Sequence, residues 1–344
     1  MNNWISRNNS SIVRGFAALV IMYVHLGQTV SEEENFLYLF EPLGYLCVGI
    51  FFFYTGYNLI ATVEKKGTTG FILSKIKRIY IPFVFANIIY ILYLLSNGEY
   101  NYSTRGLLYS IVGLRLPNDT LWYVVSILWY QVLFFILYKV YEVLSKNKNN
   151  NTVALLLIII AFVMYTISYP KVANITGAIQ GYTEVFPISI IAGAVVRVYE
   201  EKLYGYVKSY KFQILFILFF LLSICFSKNY AGIRLMILNV DIYNIMAPLL
   251  AALFINTLLC GEELKGKIGL ILGSISYEIY LLHKPVMLFL RGNKFYIENV
   301  VTYIIMYTLL LGACAYGLNW VNNMIKILVN IIKEGFLLNI NKNE

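Results

Sequence analysis

Ten predominantly apolar runs, each 16 to 24 residues long, follow one another along the chain with short polar connectors between them. They cover residues 12–28, 41–63, 79–96, 121–144, 152–169, 183–199, 212–227, 241–260, 268–290 and 299–321. A helix needs about 20 such residues to cross a bilayer, so ten in series leave few soluble solutions. Composition agrees. Of 344 residues, 59% are hydrophobic and 13% charged, against roughly 45–50% and 25% in a soluble domain, and the mean hydropathy is +0.68. These values exclude a soluble enzyme, a disordered chain, a nucleic-acid binder and a disulfide-stapled secreted domain. The expected fold is all-α: a polytopic transmembrane helix bundle of about ten spans.

The net charge of +9 has a topological reading. With the N-terminus inside and ten spans, nineteen of the 27 Lys and Arg residues fall on the inner side and eight on the outer. Because cytoplasmic loops collect Lys and Arg, this split places both termini in the cytoplasm. The expected organisation is a tail over 1–11, one transmembrane domain over 12–321 and a second tail over 322–344. The first apolar run lacks a small-residue cleavage site after it and is expected to be retained as a helix. Connectors carry breakers, including Gly67-Thr68-Thr69-Gly70 and the stretch from Gly261 to Gly266. Cys47, Cys225, Cys260 and Cys314 are scattered, which argues against a disulfide framework or a metal site.

Ionisable groups inside a span cost about 2.5–3.5 kcal/mol on insertion scales, which makes each a functional candidate. The chain has two histidines, and both fall in expected spans. His25 lies eleven residues beyond Arg14, about 16 Å of helix, and His283 lies sixteen beyond Lys267, about 24 Å. Both therefore belong to the outer half of the membrane. Carboxylates gather on that side at Glu41, Asp119, Glu184 and Asp241. A carboxylate beside a histidine fixes its tautomer and raises its basicity, whereas one at a span end also serves as a solvated cap. Trp122, Tyr123, Trp129 and Tyr130 fit an interfacial aromatic belt and equally a sugar-stacking surface.

On the inner side, Phe71 to Pro82 reads FILSKIKRIYIP. Lys75 and Arg78, three apart, share one face of a helix entering the third span. Two cations there suit a multiply charged phosphate ligand, and they suit ordinary topological anchoring as well.

In order, these pieces resemble the acyltransferase 3 family, integral-membrane enzymes that move acetyl groups from cytoplasmic acetyl-CoA onto sugars of surface polymers. The resemblance runs from about residue 10 to 320. It rests on Arg14 and His25 at Arg-x10-His spacing, FFFYTGY from Phe51 to Tyr57, the basic pair Lys75 and Arg78 before Pro82, LWY from Leu121 to Tyr123, and ISYEIYLLHKP from Ile275 to Pro285. Two positions depart from the family pattern. Lys75 stands where Arg is common and lacks its bidentate fork, and Thr55 replaces the commoner Ser while keeping a hydroxyl.

The resemblance implies a donor, acetyl-CoA, with its phosphates on Lys75 and Arg78 aided by Arg14, and no metal. It implies His25 as the catalytic histidine, either a general base on the acceptor hydroxyl or itself the acceptor of the acetyl group, with Glu41 and Asp119 as carboxylates of the catalytic group. Tyr57, Trp122, Tyr280 and His283 are the implied acceptor-binding residues. The acceptor is a carbohydrate, lipid-linked or polymeric, and the location is the membrane of a bacterial cell, with lipid as the other partner. The chain ends without the extracytoplasmic hydrolase-like domain some members carry, so transfer falls to the membrane domain alone or to a separate extracytoplasmic partner. The competing class is a transporter or sensor module for a small polar substrate. Histidines off the midplane and a paired cation at the inner face argue against it.

Overall fold

The computed structural model describes residues 4–30, 36–100, 103–145, 150–178, 186–225, 234–235 and 240–340. Among these, eleven α-helices follow in order: α1 (Arg7–Gly27), α2 (Glu41–Lys75), α3 (Ile81–Ser96), α4 (Thr104–Val112), α5 (Trp122–Leu144), α6 (Asn151–Thr176), α7 (Ile188–Ser209), α8 (Lys211–Cys225), α9 (Ile242–Leu258), α10 (Lys267–Leu290) and α11 (Val300–Ile340). The described residues also include a two-residue antiparallel ladder, β1 (Arg234–Leu235) with β2 (Val240–Asp241), and short 3-10 turns at Phe36–Phe40 and Asp119–Leu121. The chain is an all-α membrane bundle, and within the described residues a helix takes up most of each of the ten expected segments. By length and composition, five helical stretches among the described residues are long and apolar enough to cross a membrane, or six if the α7–α8 pair, bent by 95°, is counted as one span. The expected carboxylate at Glu184 lies outside the described residues.

Two features differ from the expected segments. The nine-residue α4 was not among them; Ser103 caps its first turn and left-handed Gly113 ends it, so it is set by its caps rather than by an apolar run. The last helix also continues past residue 321 to Ile340 without a break.

A third difference shapes the site. The GTTG connector narrows to a single residue, Gly67, whose φ of 62° and ψ of −178° interrupt α2. Only glycine takes such a conformation without strain. Before it, Phe52 packs on Tyr123 of α5. After it, Thr68 donates to Glu142 and Phe71 packs on Phe134, so the chain has reversed and runs antiparallel to α5. The return helix therefore begins at Thr68 rather than near residue 79. Lys75 and Arg78 sit two to three turns into it, not at its start.

Between α2 and α3, Ile76–Tyr80 forms one turn of π-helix. Such a turn widens the backbone and disturbs its own hydrogen bonding. The Tyr277 hydroxyl donates to the Ile79 carbonyl at 2.9 Å, which ties this turn to α10.

Close backbone approaches set the rest of the packing. A Cβ on Gly15 of α1 would lie 2.7 Å from the Gly273 nitrogen, and one on Gly273 would lie 2.2 Å from the Ser11 carbonyl oxygen. Small residues are how membrane helices come this near, because lipid gives no hydrophobic drive for association. With Gly269 against Ile12 one turn earlier, α1 and α10 run parallel.

Candidate active site

The parallel pair of α1 and α10 determines where the two histidines meet. His25 follows Gly15 by ten residues and His283 follows Gly273 by ten, so each helix rises about 15 Å from the glycine contact to its histidine. The rings arrive stacked, with centroids 4.9 Å apart and planes at 25°. His283 is buried, and its Nδ1 lies 2.6 Å from the Tyr280 carbonyl. A carbonyl only accepts, so Nδ1 donates and the lone pair is on Nε2. That Nε2 is buried and has no hydrogen-bond partner among the described residues. His25 is the more accessible of the two, with Nδ1 3.2 Å from the Gln28 amide oxygen.

The remaining expected residues fall around this pair in different ways. Tyr280 is one turn inward of His283, with ring centroids 5.7 Å apart, and its hydroxyl donates to the Thr120 carbonyl. Asp119, next to Thr120, is exposed and ion-paired with Lys284. The Asp119–Thr120 turn is thus held to α10 on either side of His283. Asp119 is engaged by Lys284 rather than hydrogen-bonded to a histidine. Glu41 is exposed at the start of α2, and among the described residues no hydrogen bond joins it to either ring. Trp122 packs on Phe186, centroids 5.8 Å apart.

Inward of the histidines lies a cavity of about 620 Å³. Tyr123 and Tyr280, edge to face at 5.5 Å, line its outer part with Ile21, Val48, Phe51 and Ile127. Its other walls carry Arg7, Arg14, Lys65, Lys66, Lys75 and Arg78, and among the described residues no carboxylate lines it. Arg14 donates from Nε to the Ser10 carbonyl at 3.1 Å. Lys75 sits over the Phe71 ring, 5.0 Å from its centroid. All three expected donor-site cations, Arg14, Lys75 and Arg78, therefore share one cavity. Six like charges in one cavity repel one another, and an anionic ligand relieves that repulsion.

Tyr57 also lines the cavity, but its hydroxyl is turned to Glu200, donating at 2.7 Å. Glu200, 2% exposed, further accepts from the Ile5 backbone N–H at 2.9 Å and pairs with Arg197 at 3.3 Å. Arg197 reaches Glu64 at 3.1 Å. Sequence reasoning missed this network, because Arg197 counts there only among the positive charges of the inner side and Glu200, at the end of an apolar run, sits in no motif.

A family model described as an acyltransferase domain matches residues 8–319. No curated protein matches the chain, and no solved structure does. The match takes in both histidine-bearing helices, the return helix with its basic pair and α5, which together build the cavity and the stacked rings. This is a membrane acyltransferase, and the chain belongs to the acyltransferase 3 family.

Proposed function

We propose that the protein transfers an acetyl group from cytoplasmic acetyl-CoA to a hydroxyl of an envelope carbohydrate, lipid-linked or polymeric, at the plasma membrane of a bacterial cell. The cavity is the observation that supports this reading. Its six cations, with no carboxylate among the described lining residues, suit a donor with several phosphates. Its outer end at Tyr280 lies one turn from the stacked histidines. A donor seated there places phosphates among the cations and directs its thioester toward the rings.

His25, the more accessible ring, meets an acceptor arriving from outside and acts as general base. The acceptor O–H proton passes to His25 while the oxygen attacks the thioester carbonyl carbon. The C–S bond then breaks, and the CoA thiolate leaves and takes the proton from the imidazolium. The products are an O-acetyl ester and free CoA thiol. Base assistance of this kind contributes roughly 10²–10⁴-fold. His283, buried beneath, supports the His25 ring and offers Nε2 as a hydrogen-bond acceptor. Asp119, through Lys284, and Tyr280, through Thr120, hold the turn that borders the acceptor side, with Trp122 and Glu41 at its margin.

The test is transfer in membrane vesicles containing the protein, supplied with acetyl-CoA and an envelope carbohydrate fraction. The expected result is free thiol release that depends on the carbohydrate and is matched by ester-linked acetyl on it. Absence of both products at full protein incorporation overturns the reading.

A further inference from the structure

The cavity stops short of the histidines. Neither ring is among the described residues that line it, although Ile21 and Tyr280, one turn inward of them, are. At about 100° per residue, Arg14, Ile21 and His25 fall within about 40° of one another around α1, and Ser276, Tyr280 and His283 within about 60° around α10. Each of these stripes carries two cavity-lining residues and then a histidine. The glycine contact sets their depths. Ile21 is six residues beyond Gly15 and Tyr280 seven beyond Gly273, about 9 and 10.5 Å outward, against about 15 Å for the histidines. Val48, also a lining residue, reaches a similar depth on α2, one turn inward of Gly44, whose Cβ position meets Val24.

A layer of Ile21, Val48 and Tyr280 therefore lies between the cavity and the rings. Tyr280 is held in place, since its hydroxyl donates to the Thr120 carbonyl and its ring meets Tyr123 edge to face. Ile21 is 5% exposed, and a β-branched side chain in a helix keeps essentially one χ1 rotamer. Neither gives way easily. The carbonyl carbon of a thioester bears its sulfur, oxygen and acyl carbon in one plane. With the arm leaving inward, and His25 and the acceptor approaching from outside, the acyl carbons are left the lateral space of this layer. Ile21 is the wall of that space on the same helix stripe as His25. Each further methylene has to displace it.

Resting on the acyl-CoA reading above, we infer that Ile21 determines acyl-chain specificity, limiting the transferred group to acetyl. It meets the acyl end of the donor and takes no part in proton transfer or in holding the phosphates. A smaller residue at this position opens lateral space beneath His25, and the donor class widens to thioesters of longer straight-chain acids.

The experiment measures CoA thiol release in membrane vesicles containing the full-length protein, supplied with the envelope carbohydrate fraction and either acetyl-CoA or butyryl-CoA. The quantity compared is the ratio of kcat/KM for the two donors on one preparation, from which the amount of folded protein cancels. Wild type is expected to favour acetyl by about 10²-fold or more, since an apolar pocket discriminates a single methylene by roughly 10–200-fold. Ile21→Ala is expected to reduce that preference at least about tenfold, and Ile21→Val by about threefold. Should the alanine variant fail to accumulate, the valine variant decides. Ile127→Ala, which widens the cavity on α5 one turn inward of Tyr123, is expected to affect both donors alike and leave the ratio unchanged. An unchanged ratio in the Ile21 variants overturns the inference while the donor reading stands, as does an equal change in Ile127→Ala. Wild type that uses butyryl-CoA as well as acetyl-CoA overturns it too. A wild-type protein that releases thiol from neither donor removes the donor reading and the inference with it.

Discussion

The imidazoles of His25 and His283 lie face to face, 4.9 Å between centroids, although 258 residues separate them in sequence. Two stacked imidazoles cannot both carry charge cheaply at that separation, so one ring is kept neutral while the other takes a proton. His25, the more accessible, is the ring expected to take it. His25→Ala is expected to insert and accumulate normally, since a small neutral residue is cheaper in a span. It should lower acetylation of the envelope carbohydrate by roughly 10²-fold or more, and by more than His283→Ala does. Ester-bound acetyl measured at matched protein levels checks this, and near wild-type acetylation from His25→Ala removes the base assignment.

The glycine contacts beneath the rings predict which small residues are indispensable. A Cβ on Gly273 would sit 2.2 Å from a backbone oxygen, which cannot be relieved by a rotamer change. Gly273→Val is expected to force α1 and α10 apart and cost roughly 1–3 kcal/mol or more. The loss of folded protein should appear in thermal unfolding of the detergent-solubilised protein. Gly205 of α7 has open space around its Cβ position, so Gly205→Ala serves as the control and should leave the transition unchanged. Equal behaviour of the two variants would show that the α1–α10 contact does not set the bundle's packing.

The legible part of the fold is the part carried by long-range periodicity. Ten apolar runs became helices, and depth counted along two of them placed His25 and His283 in the same outer half. That their rings stack was not legible, because it depends on Gly15 meeting Gly273, a contact between residues that look unremarkable in sequence. The turn at Gly67 was hidden for a related reason. Four breakers in GTTG mark a connector, but only the φ of one residue fixes where the helix returns, and so how deep Lys75 and Arg78 lie. The Glu200 network was masked by its own composition, since a carboxylate beside Arg197 at a span end resembles solvated charge.

The cation cluster predicts a salt-sensitive donor site. Lys75→Ala combined with Arg78→Ala should weaken acetyl-CoA binding, and wild-type affinity should fall as ionic strength rises toward 1 M, where the screening length shrinks to about 3 Å. Lys75→Arg should bind at least as well as wild type, because the guanidinium adds a bidentate fork. Equilibrium binding across a salt series checks both. Normal binding by the double alanine variant would reduce the two residues to topological anchors.

The bend between α7 and α8 predicts the side of the membrane on which Tyr210 lies. Tyr45 of α2 donates to the Asn244 carbonyl and Tyr54 to the Asn256 amide oxygen, so α9 runs parallel to α2. Phe186 beside Tyr45, and Arg197 paired with Glu64, show that α7 runs parallel to α2 as well. Two parallel helices in succession require a crossing between them. Among the described residues α8 is the regular element available for it, and Phe212, Phe216 and Phe219 on α8 are all exposed as lipid contact would demand. Tyr210, flanked by Lys208 and Lys211, is therefore expected in the cytoplasm with Lys75 and the C-terminus, while Asn118 and Gly177 are outside. Single-cysteine variants at Tyr210, Gly177 and the exposed Arg115 beside Asn118, made in a cysteine-free background and probed with a membrane-impermeant thiol reagent on intact cells, test this. Labelling is expected at Arg115 and Gly177 and not at Tyr210 until the membrane is permeabilised. Labelling of Tyr210 in intact cells would mean that α7 and α8 are not two successive crossings, and the ten-span arrangement would fall with it.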